Sequence, residues 1–480
     1  MSHPAPAADE PREPRWRPIA CFVLMLAAVQ AVAGPKIRLS QWELSAEANA
    51  GVAEAGAWID GRLDLPQPPG RDPLRDRPHD TALFDGRVYN VFPPLIGLLT
   101  VLLSPLHEWL SGDAARWLPW TYVPLLFWPL PIAAFVALRR QTGDSAWAAL
   151  LTFAYLSGTG VLPCLNLARG GQLGAINHLL SQIGLLILAA DLLGRRRIWP
   201  AMIGLAIAGW SRQMTLLYAL PLLWIVWSGR RAASRRRALG LSLCGLIVIV
   251  APLLTLNALK FGNPLNFGYR HIYAGRDDPM AQRCAAQGTF SPRFVPENLW
   301  YMHVQWPEID VGLTGYTIIA GGMGTSIWVT TPLLLFVLPC FAQAGRRIIA
   351  RGNLSPETTG TARESPGDTV SNGAVDPLAF PREARGNLAQ PGARVEPLDR
   401  VARTALLLST VLVMTGLLCY HTPGFLQPGY HRFALDFIPI WLALIARHTR
   451  GGRRTWLTLA CIAWSVLYFQ AVTPDLPRGG

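Results

Sequence analysis

Charged residues are scarce in this sequence. They make up 15% of its 480 residues, against 51% hydrophobic residues, whereas a soluble globular protein has roughly 25% charged residues. This deficit excludes an ordinary water-soluble protein. The charge is also unbalanced, with 43 Lys and Arg, 30 Asp and Glu, and a net charge of +13. Because the basic residues form short clusters between long apolar runs, the excess indicates orientation in a membrane and not nucleic acid as a partner.

Cysteine pairs with metal-binding spacing are also missing. Of the 7 cysteines, only Cys284 falls in a long polar loop, and the others lie in or at the ends of apolar runs. No Cys-x-x-Cys spacing occurs. The sequence therefore predicts neither a disulfide framework nor a cysteine metal site.

Long apolar runs recur along the chain and predict an all-α polytopic membrane protein. A helix needs roughly 20 predominantly apolar residues to cross a bilayer, and twelve runs approach that length. The runs are 18–34, 93–110, 117–138, 146–164, 174–193, 198–210, 213–228, 238–258, 326–345, 403–421, 431–447 and 455–472.

Arginine clusters indicate which of these runs cross. Cytoplasmic loops are enriched in Lys and Arg, so all the arginine clusters should lie on the cytoplasmic side. If the runs 93–110 and 117–138 both crossed the membrane, the cluster at 139–140 and every later cluster would be external. One of these two runs therefore does not cross. We predict that 93–110, which opens with Pro93-Pro94 and contains Pro105, lies at the outer membrane surface. About 11 transmembrane helices remain, with the amino terminus inside. The clusters are 12–17, 139–140, 195–197, 230–237, 346–351 and 447–454.

The polar segments between the runs set the expected domain organisation. Residues 346–402 are rich in Pro, Gly, Ser and Thr without apolar periodicity, which predicts a disordered cytoplasmic linker. The expected order is a cytoplasmic tail 1–17, a transmembrane core 18–345 with external loops 35–116 and 259–325, the linker 346–402, C-terminal helices 403–472 and an external tail 473–480.

Glutamates in the first external loop are candidate general bases. Ser40-Gln41-Trp42-Glu43 has the spacing of a capping box and predicts a helix that runs to Gly56. At about 100° per residue, Glu43, Glu47 and Glu54 share one face of this helix. Two interpretations stay open. The face is solvated, or it turns one glutamate into an enclosed cavity.

Motifs in and around this loop resemble the GT-C superfamily of membrane glycosyltransferases. They are an acidic residue on a helix after the first span, Gly61-Arg62-Leu63 followed by Pro66, Asp85-Gly86-Arg87-Val88-Tyr89, and Pro93-Pro94-Leu95. Within the superfamily, the motifs resemble those of protein O-mannosyltransferases and of the aminoarabinose transferase of lipid A. The resemblance implies a GT-C fold with external juxtamembrane helices. It also implies transfer of a sugar from a polyprenyl-phosphate donor to a protein or lipid hydroxyl.

The resemblance also implies a catalytic carboxylate, because an acceptor hydroxyl must lose its proton as it attacks the anomeric carbon. The family has an Asp-Glu pair at the start of the first external helix. Spacing back from Gly61 places the Glu on Glu47 and puts Ala46 where the Asp would be. Glu47 is the first candidate and Glu43 the second. The later candidates are Asp80 and Asp85, although for Asp85-Gly86 a structural role in a hairpin or β-turn is at least as well supported as catalysis.

Two arginines are candidates for binding the donor's phosphate. Arg212 lies at the predicted external junction of two short spans, where an arginine needs a partner, and the family has a phosphate-binding basic residue there. Arg432 lies in Gly429-Tyr430-His431-Arg432-Phe433, which resembles the opening of a late span in these enzymes. Arg432 and Asp436 are four residues apart, so we predict an ion pair on one helix face that directs Arg432 toward the phosphate.

Two further groups of polar residues are candidate substrate contacts. Tyr269, Arg270 and His271 follow the Phe261-Gly262-Asn263-Pro264 turn, and they either meet sugar or phosphate or pack at the membrane surface. Asn177 and His178 stand where relatives carry a second acidic residue, so they can orient or bind a substrate, and His178 alternatively caps a helix.

The sequence as a whole predicts a glycosyltransferase of the bacterial inner membrane that acts on a lipid, glycan or protein acceptor. A divalent metal stays open, because some relatives use one. A transporter or flippase for a lipid-linked substrate is the alternative from another class, although no internal repeat or matched pair of broken spans supports it. A catalytically inactive relative is the third, because Ala46 replaces the expected Asp.

Overall fold

The computed structural model describes residues 13–34, 50–67, 70, 72, 77, 81–112, 128–169, 173–228, 232–312, 315–319, 323–352, 397–422 and 429–472. Helices dominate these residues, and the strands form two short hairpins. The all-α class predicted from the apolar runs is confirmed. Most of the predicted linker 346–402 and of the two tails lies outside the described residues.

Most of the predicted runs are helical where the structure describes them. In chain order the α-helices are α1 (Arg17–Ala33), α2 (Ala50–Ile59), α3 (Leu95–Ser111), α4 (Pro129–Thr142), α5 (Ser145–Ser157), α6 (Val161–Arg169), α7 (Leu173–Ala190), α8 (Ile198–Ser211), α9 (Ala219–Ser228), α10 (Ala232–Phe261), α11 (Pro279–Gln287), α12 (Val295–Leu299), α13 (Ile327–Thr330), α14 (Leu338–Gly352), α15 (Pro397–Leu418), α16 (Ile438–Ile445) and α17 (Arg453–Val472). Three of the runs also contain a 3₁₀ segment, at Gln213–Tyr218, Pro332–Val337 and Arg432–Asp436.

Several helices are long and apolar enough to cross a membrane. Among the described residues these are Leu173–Arg195, Arg235–Phe261, Arg400–Leu418 and Arg453–Val472. The pair α5 and α6, bent by 55° at its break, passes the same test as one span. The protein thus has the helices of a membrane protein. The described residues do not confirm the predicted 11 spans, because 3₁₀ segments shorten several of the predicted runs.

The helix ends that carry arginine clusters meet at one end of the bundle. Arg403 donates to Leu444 O at 3.0 Å and to Gln141 Oε1 at 3.3 Å, and Arg447 Nε donates to Gln141 O at 2.9 Å. Gln141 in turn donates to Leu193 O at 3.3 Å. These contacts join the ends of four segments of the chain. Such an arrangement is expected if these ends share one side of a membrane.

Two glycines bring α7 and α8 into backbone contact. A Cβ added at Gly184 would lie 2.4 Å from Gly204 O, and one added at Gly204 would lie 2.6 Å from Gly184 O. Small residues allow this close approach of helices in a membrane. Helix α7 is the central helix, since 94% of its apolar window is buried. The contact fixes α8, and the residue that follows it, against this centre.

The predicted first external loop contains a hairpin, one of the two structures that Asp85-Gly86 indicated. Strand β1 (Thr81–Phe84) pairs antiparallel with β2 (Arg87–Asn90). The turn residues Asp85 and Gly86 have φ values of 50° and 70°, as a two-residue type I′ turn requires. The second hairpin, β3 (Glu308–Gly312) with β4 (Gly315–Ile319), lies in the predicted second external loop.

Helix α3 has the apolar surface expected of a helix in contact with a membrane surface. It begins directly after Pro94. Its side chains Leu102, Leu106 and Trp109 are 74%, 52% and 80% exposed and follow one another at helical spacing. Its opposite side packs on α2, where Trp58 would lie within 2.9 Å of a Cβ added at Gly97.

Candidate anion-binding site around Phe433

The ring of Phe433 lies at the centre of the candidate site. The guanidinium carbons of Arg212 and Arg432 are 5.4 and 5.7 Å from its centroid. Three more rings surround it, with centroids at 5.7 Å for Tyr420, 6.0 Å for His178 and 6.2 Å for His431. Segments distant in the sequence therefore converge on one aromatic ring. Both predicted phosphate-binding arginines and His178 are among them.

Arg212 reaches the site because α8 ends at Ser211. Its amide donates to Ala208 O at 2.8 Å, and its backbone is then extended, at φ −146°, before the 3₁₀ segment begins. The side chain retains 13% exposure. An arginine at a helix break in an apolar bundle is costly unless it has a partner.

The partner of Arg212 is the carboxylate of Asp436. Arg212 Nη2 donates to Oδ2 at 3.0 Å, and Nε lies 3.2 Å from Oδ2 and 3.3 Å from Oδ1. The carboxylate thus occupies one edge of the guanidinium, a geometry that makes a strong charge-assisted pair. The N–H groups of Nη1 lie on the other side of the guanidinium.

Asp436 also binds His178. His178 Nδ1 lies 3.1 Å from Asp436 Oδ1, and the two side chains are 1% and 0% exposed. An ionised carboxylate only accepts hydrogen bonds, so Nδ1 is the donor. Tyr218 fixes the backbone of the same residue by donating from its hydroxyl to Asp436 O at 3.2 Å. Asp436 is therefore held at three points.

The predicted ion pair between Arg432 and Asp436 is wrong. The carboxylate of Asp436 is bound by Arg212 and His178. The physical reason is that Arg432–Asp436 is a 3₁₀ segment and not an α-helix. With about three residues per turn, side chains three apart are eclipsed and those four apart diverge.

Arg432 instead lies against the first turn of α7. A Cβ added at Gly174 would be 3.4 Å from Arg432 Nη1 and 3.9 Å from Phe92 Cε1. Glycine at this position lets the guanidinium approach the helix backbone. Phe92 immediately precedes Pro93-Pro94, so the loop predicted to be the first external one reaches the same site.

Tyr269 joins the site, whereas Arg270 and His271 lie beside a different cluster. Tyr269 donates to Gln213 Oε1 at 3.4 Å, and its ring contacts that of Tyr420 at 6.1 Å. Arg270 is exposed and its Nε donates to His271 Nε2 at 3.0 Å. The ring of His271 packs between aromatic side chains of β1 and α10. Burial and the adjacent Arg270 charge lower the pKa of His271.

The other predicted site residues do not contact Phe433 among the described residues. Asn177 is fully buried on α7, and neither end of its amide has a hydrogen-bond partner there. Asp85 is exposed at the tip of the first hairpin. The candidate carboxylates Glu43, Glu47 and Asp80 lie outside the described residues.

A second polar cluster, Glu54, Asn90 and Lys260, was missed by the sequence reasoning. Lys260 Nζ binds Glu54 Oε1 and donates to Asn90 O at 3.0 Å, and Asn90 Nδ2 donates to Glu54 Oε2 at 2.8 Å. Glu54 is 0% exposed, so the solvated acidic face is wrong at this residue. The feature of the sequence that could have revealed this cluster is Lys260, a single lysine in the last turn of a long apolar helix, where a charged residue needs a partner.

The two polar clusters are connected through Phe92. Asn90 Oδ1 accepts a hydrogen bond from Phe92 N at 3.1 Å, and the ring of Phe92 lies beside Gly174 and the guanidinium of Arg432. The cluster of Glu54, Asn90 and Lys260 therefore fixes the chain where it turns toward α3. This turn lies at the edge of the candidate site around Phe433, on the side of Arg432.

The described residues contain no group of three or more His, Cys, Asp or Glu side chains that could hold a metal ion. Because Glu43, Glu47 and Asp80 are not among those residues, the question of a divalent metal stays open.

Comparison of the chain with protein-family models, with curated proteins and with solved structures finds no match. The GT-C superfamily therefore stays an expectation from the sequence motifs.

Proposed function

We propose that this chain is a glycosyltransferase of the GT-C type. It moves a hexosyl or pentosyl group from a polyprenyl-phosphate donor to a hydroxyl of a lipid, glycan or protein acceptor. The reaction takes place at the external face of a bacterial inner membrane, within a bundle of about 11 spans. The observation that carries the proposal is the approach of Arg212 and Arg432 to one ring, at 5.4 and 5.7 Å from Phe433.

Two guanidiniums suit the leaving group of this reaction. Cleavage of the bond between the anomeric carbon and the phosphate oxygen leaves negative charge on the polyprenyl phosphate, and a positioned cation stabilises that charge as it develops. Arg212 is already oriented, because Asp436 holds its Nε and Nη2 edge. The amides of the first turn of α7, which have no acceptor within the helix and lie beside Arg432, also favour an anion.

The position of the site in the bundle supports the external face. Helix α8 leads from the cluster at Arg195–Arg197 to Arg212 and has 14 residues, or about 21 Å at 1.5 Å per residue. Helix α16 leads from Asp436 back toward Arg447 and Arg450. Both helices thus separate the site from the arginine-rich end, which the positive-inside rule assigns to the cytoplasm.

The base that the resemblance implies comes from the first external loop. Glu47 is the first candidate and Glu43 the second, with Asp80 and Asp85 as alternatives. Support for this loop as the source is the contact of Phe92 with the arginine site beside Gly174. Asp85 is a weaker candidate for the base than the glutamates, because its side chain is exposed at the tip of a hairpin.

The test is a transfer assay on the full chain in lipid nanodiscs. Radiolabelled polyprenyl-phosphate hexoses and pentoses serve as donors, and total membrane lipid serves as acceptor. We expect label to pass to lipid or to water. We also expect Arg432→Gln to lower transfer about 10²–10³-fold, the usual effect of removing one group that stabilises transition-state charge.

Arg450→Gln is the matched control, because Arg450 pairs with Asp144 at the other end of the bundle and is 57% exposed. It should retain wild-type transfer. Absence of transfer and hydrolysis with every donor overturns the proposal. Donor binding without turnover then indicates an inactive relative, and movement of labelled lipid across a vesicle membrane indicates a flippase.

A further inference from the structure

A small cavity opens at the arginine-rich end of the bundle, between α14, α15 and the end of α16 with the 3₁₀ turn that follows it. Its polar lining residues are Gln343, Arg403, Thr404 and His448, and none of them belongs to the candidate site around Phe433. The volume is about 30 Å³. Since a cavity needs about 10–15 Å³ to hold one water-sized group, this one has room for about two phosphate oxygens.

The guanidinium of Arg403 is held in place at this cavity. Nη1 donates to Leu444 O at 3.0 Å, and Nη2 donates to Gln141 Oε1 at 3.3 Å. Both acceptors are neutral, so these bonds orient the guanidinium without cancelling its charge. The charge of Arg403 acts on Cys340 and His448, which line the cavity with it. A positioned cation therefore forms part of the lining.

The segments around the cavity carry an excess of positive charge. Residues 437–474 include four arginines and no Asp or Glu, and α14 includes three arginines and no Asp or Glu. Arg403, Arg447 and Arg454 all act electrostatically on His448. Such a concentration of cations attracts an anion, and arginine is especially suited to phosphate.

An exposed apolar strip leads away from the cavity along α15. Thr404 lines the cavity, and Leu408 and Val411 follow it four and seven residues later on the same helix face. Both apolar side chains are exposed, and α15 is among the helices that are long and apolar enough to cross a membrane. The strip thus extends from the charged end into the part of the helix that acyl chains surround.

We infer that this cavity binds the phosphate of an anionic membrane phospholipid such as phosphatidylglycerol. Two phosphate oxygens enter beside Arg403 and His448, and an acyl chain lies along Leu408 and Val411. The phosphate matches the positive charge, and the chain matches the apolar strip, which a free phosphate ion does not use. Basic pockets between transmembrane helices on the cytoplasmic side bind lipid headgroups in this way. The site is separate from the proposed transfer reaction and does not depend on it.

The experiment is native mass spectrometry of the delipidated full chain in detergent, with an equimolar mixture of dioleoyl phosphatidylglycerol and dioleoyl phosphatidylcholine. The two lipids have the same acyl chains and both contain a phosphate, but only phosphatidylglycerol has a net negative charge. We expect the first bound lipid to be phosphatidylglycerol about fivefold more often, because one arginine beside an anionic lipid contributes about 1 kcal/mol.

Gln343→Glu is the informative variant, because it places a carboxylate in the cavity lining and leaves the hydrogen bonds of Arg403 intact. We expect it to lower the preference for phosphatidylglycerol to about one. Gln287→Glu is the matched control. It changes the net charge equally, but it lies at the end of α11 and is likewise exposed. The control should keep the wild-type preference.

A competition on the wild type decides the case in which Gln343→Glu does not fold. Excess ammonium phosphate should leave the bound phosphatidylglycerol in place, because a free ion gains nothing from the apolar strip. Displacement by phosphate makes the cavity a site for a free anion and overturns the lipid assignment. Equal binding of the two lipids by the wild type, or an equal preference in the folded Gln343→Glu and Gln287→Glu variants, also overturns it.

Discussion

Arg212 binds Asp436 through one edge of its guanidinium, across 224 positions of the chain. The Asp436 carboxylate is fully buried, and the Arg212 side chain is 13% exposed. Removing one member of a buried pair leaves an uncompensated charge and costs about 3–5 kcal/mol. We therefore expect Asp436→Ala to lower the thermal unfolding temperature of the detergent-solubilised protein strongly.

The exposed pair of Arg62 and Asp64 provides the control, since its side chains are 46% and 22% exposed. Asp64→Ala should change stability by about 1 kcal/mol or less. Equal effects of the two substitutions would mean that Asp436 is not a buried, paired carboxylate.

The buried pair of Glu54 and Lys260 should behave as a unit. Lys260→Met leaves the Glu54 carboxylate without its cation and should destabilise the protein, while Asn90 retains one hydrogen bond to Glu54. Glu54→Gln combined with Lys260→Met removes both charges, so we expect it to recover much of the loss. A double-mutant cycle of unfolding temperatures measures this coupling, and additive effects would contradict it.

The contact between α7 and α8 should be intolerant of a single methyl group. Gly204→Ala places a Cβ 2.6 Å from Gly184 O and 2.8 Å from Leu188 N, so α8 must shift, at a cost of about 1–3 kcal/mol. Gly240→Ala is the matched helical control, because a Cβ there meets nothing within 4 Å. It should stabilise by about 0.5–1 kcal/mol. Thermal unfolding of the two variants compares the sites.

His421, which follows the end of α15, should give the fold a pH dependence. Burial, and to a lesser extent Arg283, lowers the pKa of His421 to about 4, whereas an unfolded histidine has a pKa of about 6.5. The unfolded state therefore binds more protons in between. Stability is full above about pH 6.5 and falls toward pH 4, by at most about 1.4 kcal/mol per pH unit.

Unfolding temperatures between pH 4 and pH 7 test this expectation, with His421→Gln for comparison. Tyr273 hydroxyl lies 2.7 Å from the ring at Nε2, and glutamine offers an uncharged replacement for that contact. The variant should lose less stability than the wild type as the pH falls. Parallel curves would show that folding does not lower the pKa of His421.

Asp85 should contribute to the stability of the first hairpin through its backbone conformation and not through its carboxylate. Its φ of 50° is left-handed, a region that Asn tolerates and β-branched residues do not. We expect Asp85→Asn to keep both stability and the proposed sugar transfer, and Asp85→Val to destabilise the hairpin. A large loss of transfer in folded Asp85→Asn would instead make this carboxylate catalytic.

Local patterns in the sequence predicted the helices and the need of Arg212 for a partner, but not which residue that partner is. Apolar runs predict helices well because the signal, the length and hydrophobicity of the run, lies within the run itself. The pairing of Arg432 with Asp436 failed because a short 3₁₀ segment changes the angular spacing. The burial of Glu54 depends on Lys260, 206 positions away, which no local periodicity contains. His178 was noticed as a polar residue, yet its hydrogen-bond partner is a carboxylate 258 positions later.

The glycine contact between α7 and α8 also limits how the site can move. His178 belongs to α7 and Arg212 directly follows α8, and at Gly184 and Gly204 their backbones meet with no side chain between them that could change rotamer. Close-packed elements rearrange between discrete arrangements and do not deform gradually. The separation of His178 and Arg212 should thus stay constant when the protein changes conformation. Any motion around Phe433 then belongs to the segments that carry Arg432, Tyr420 and Tyr269.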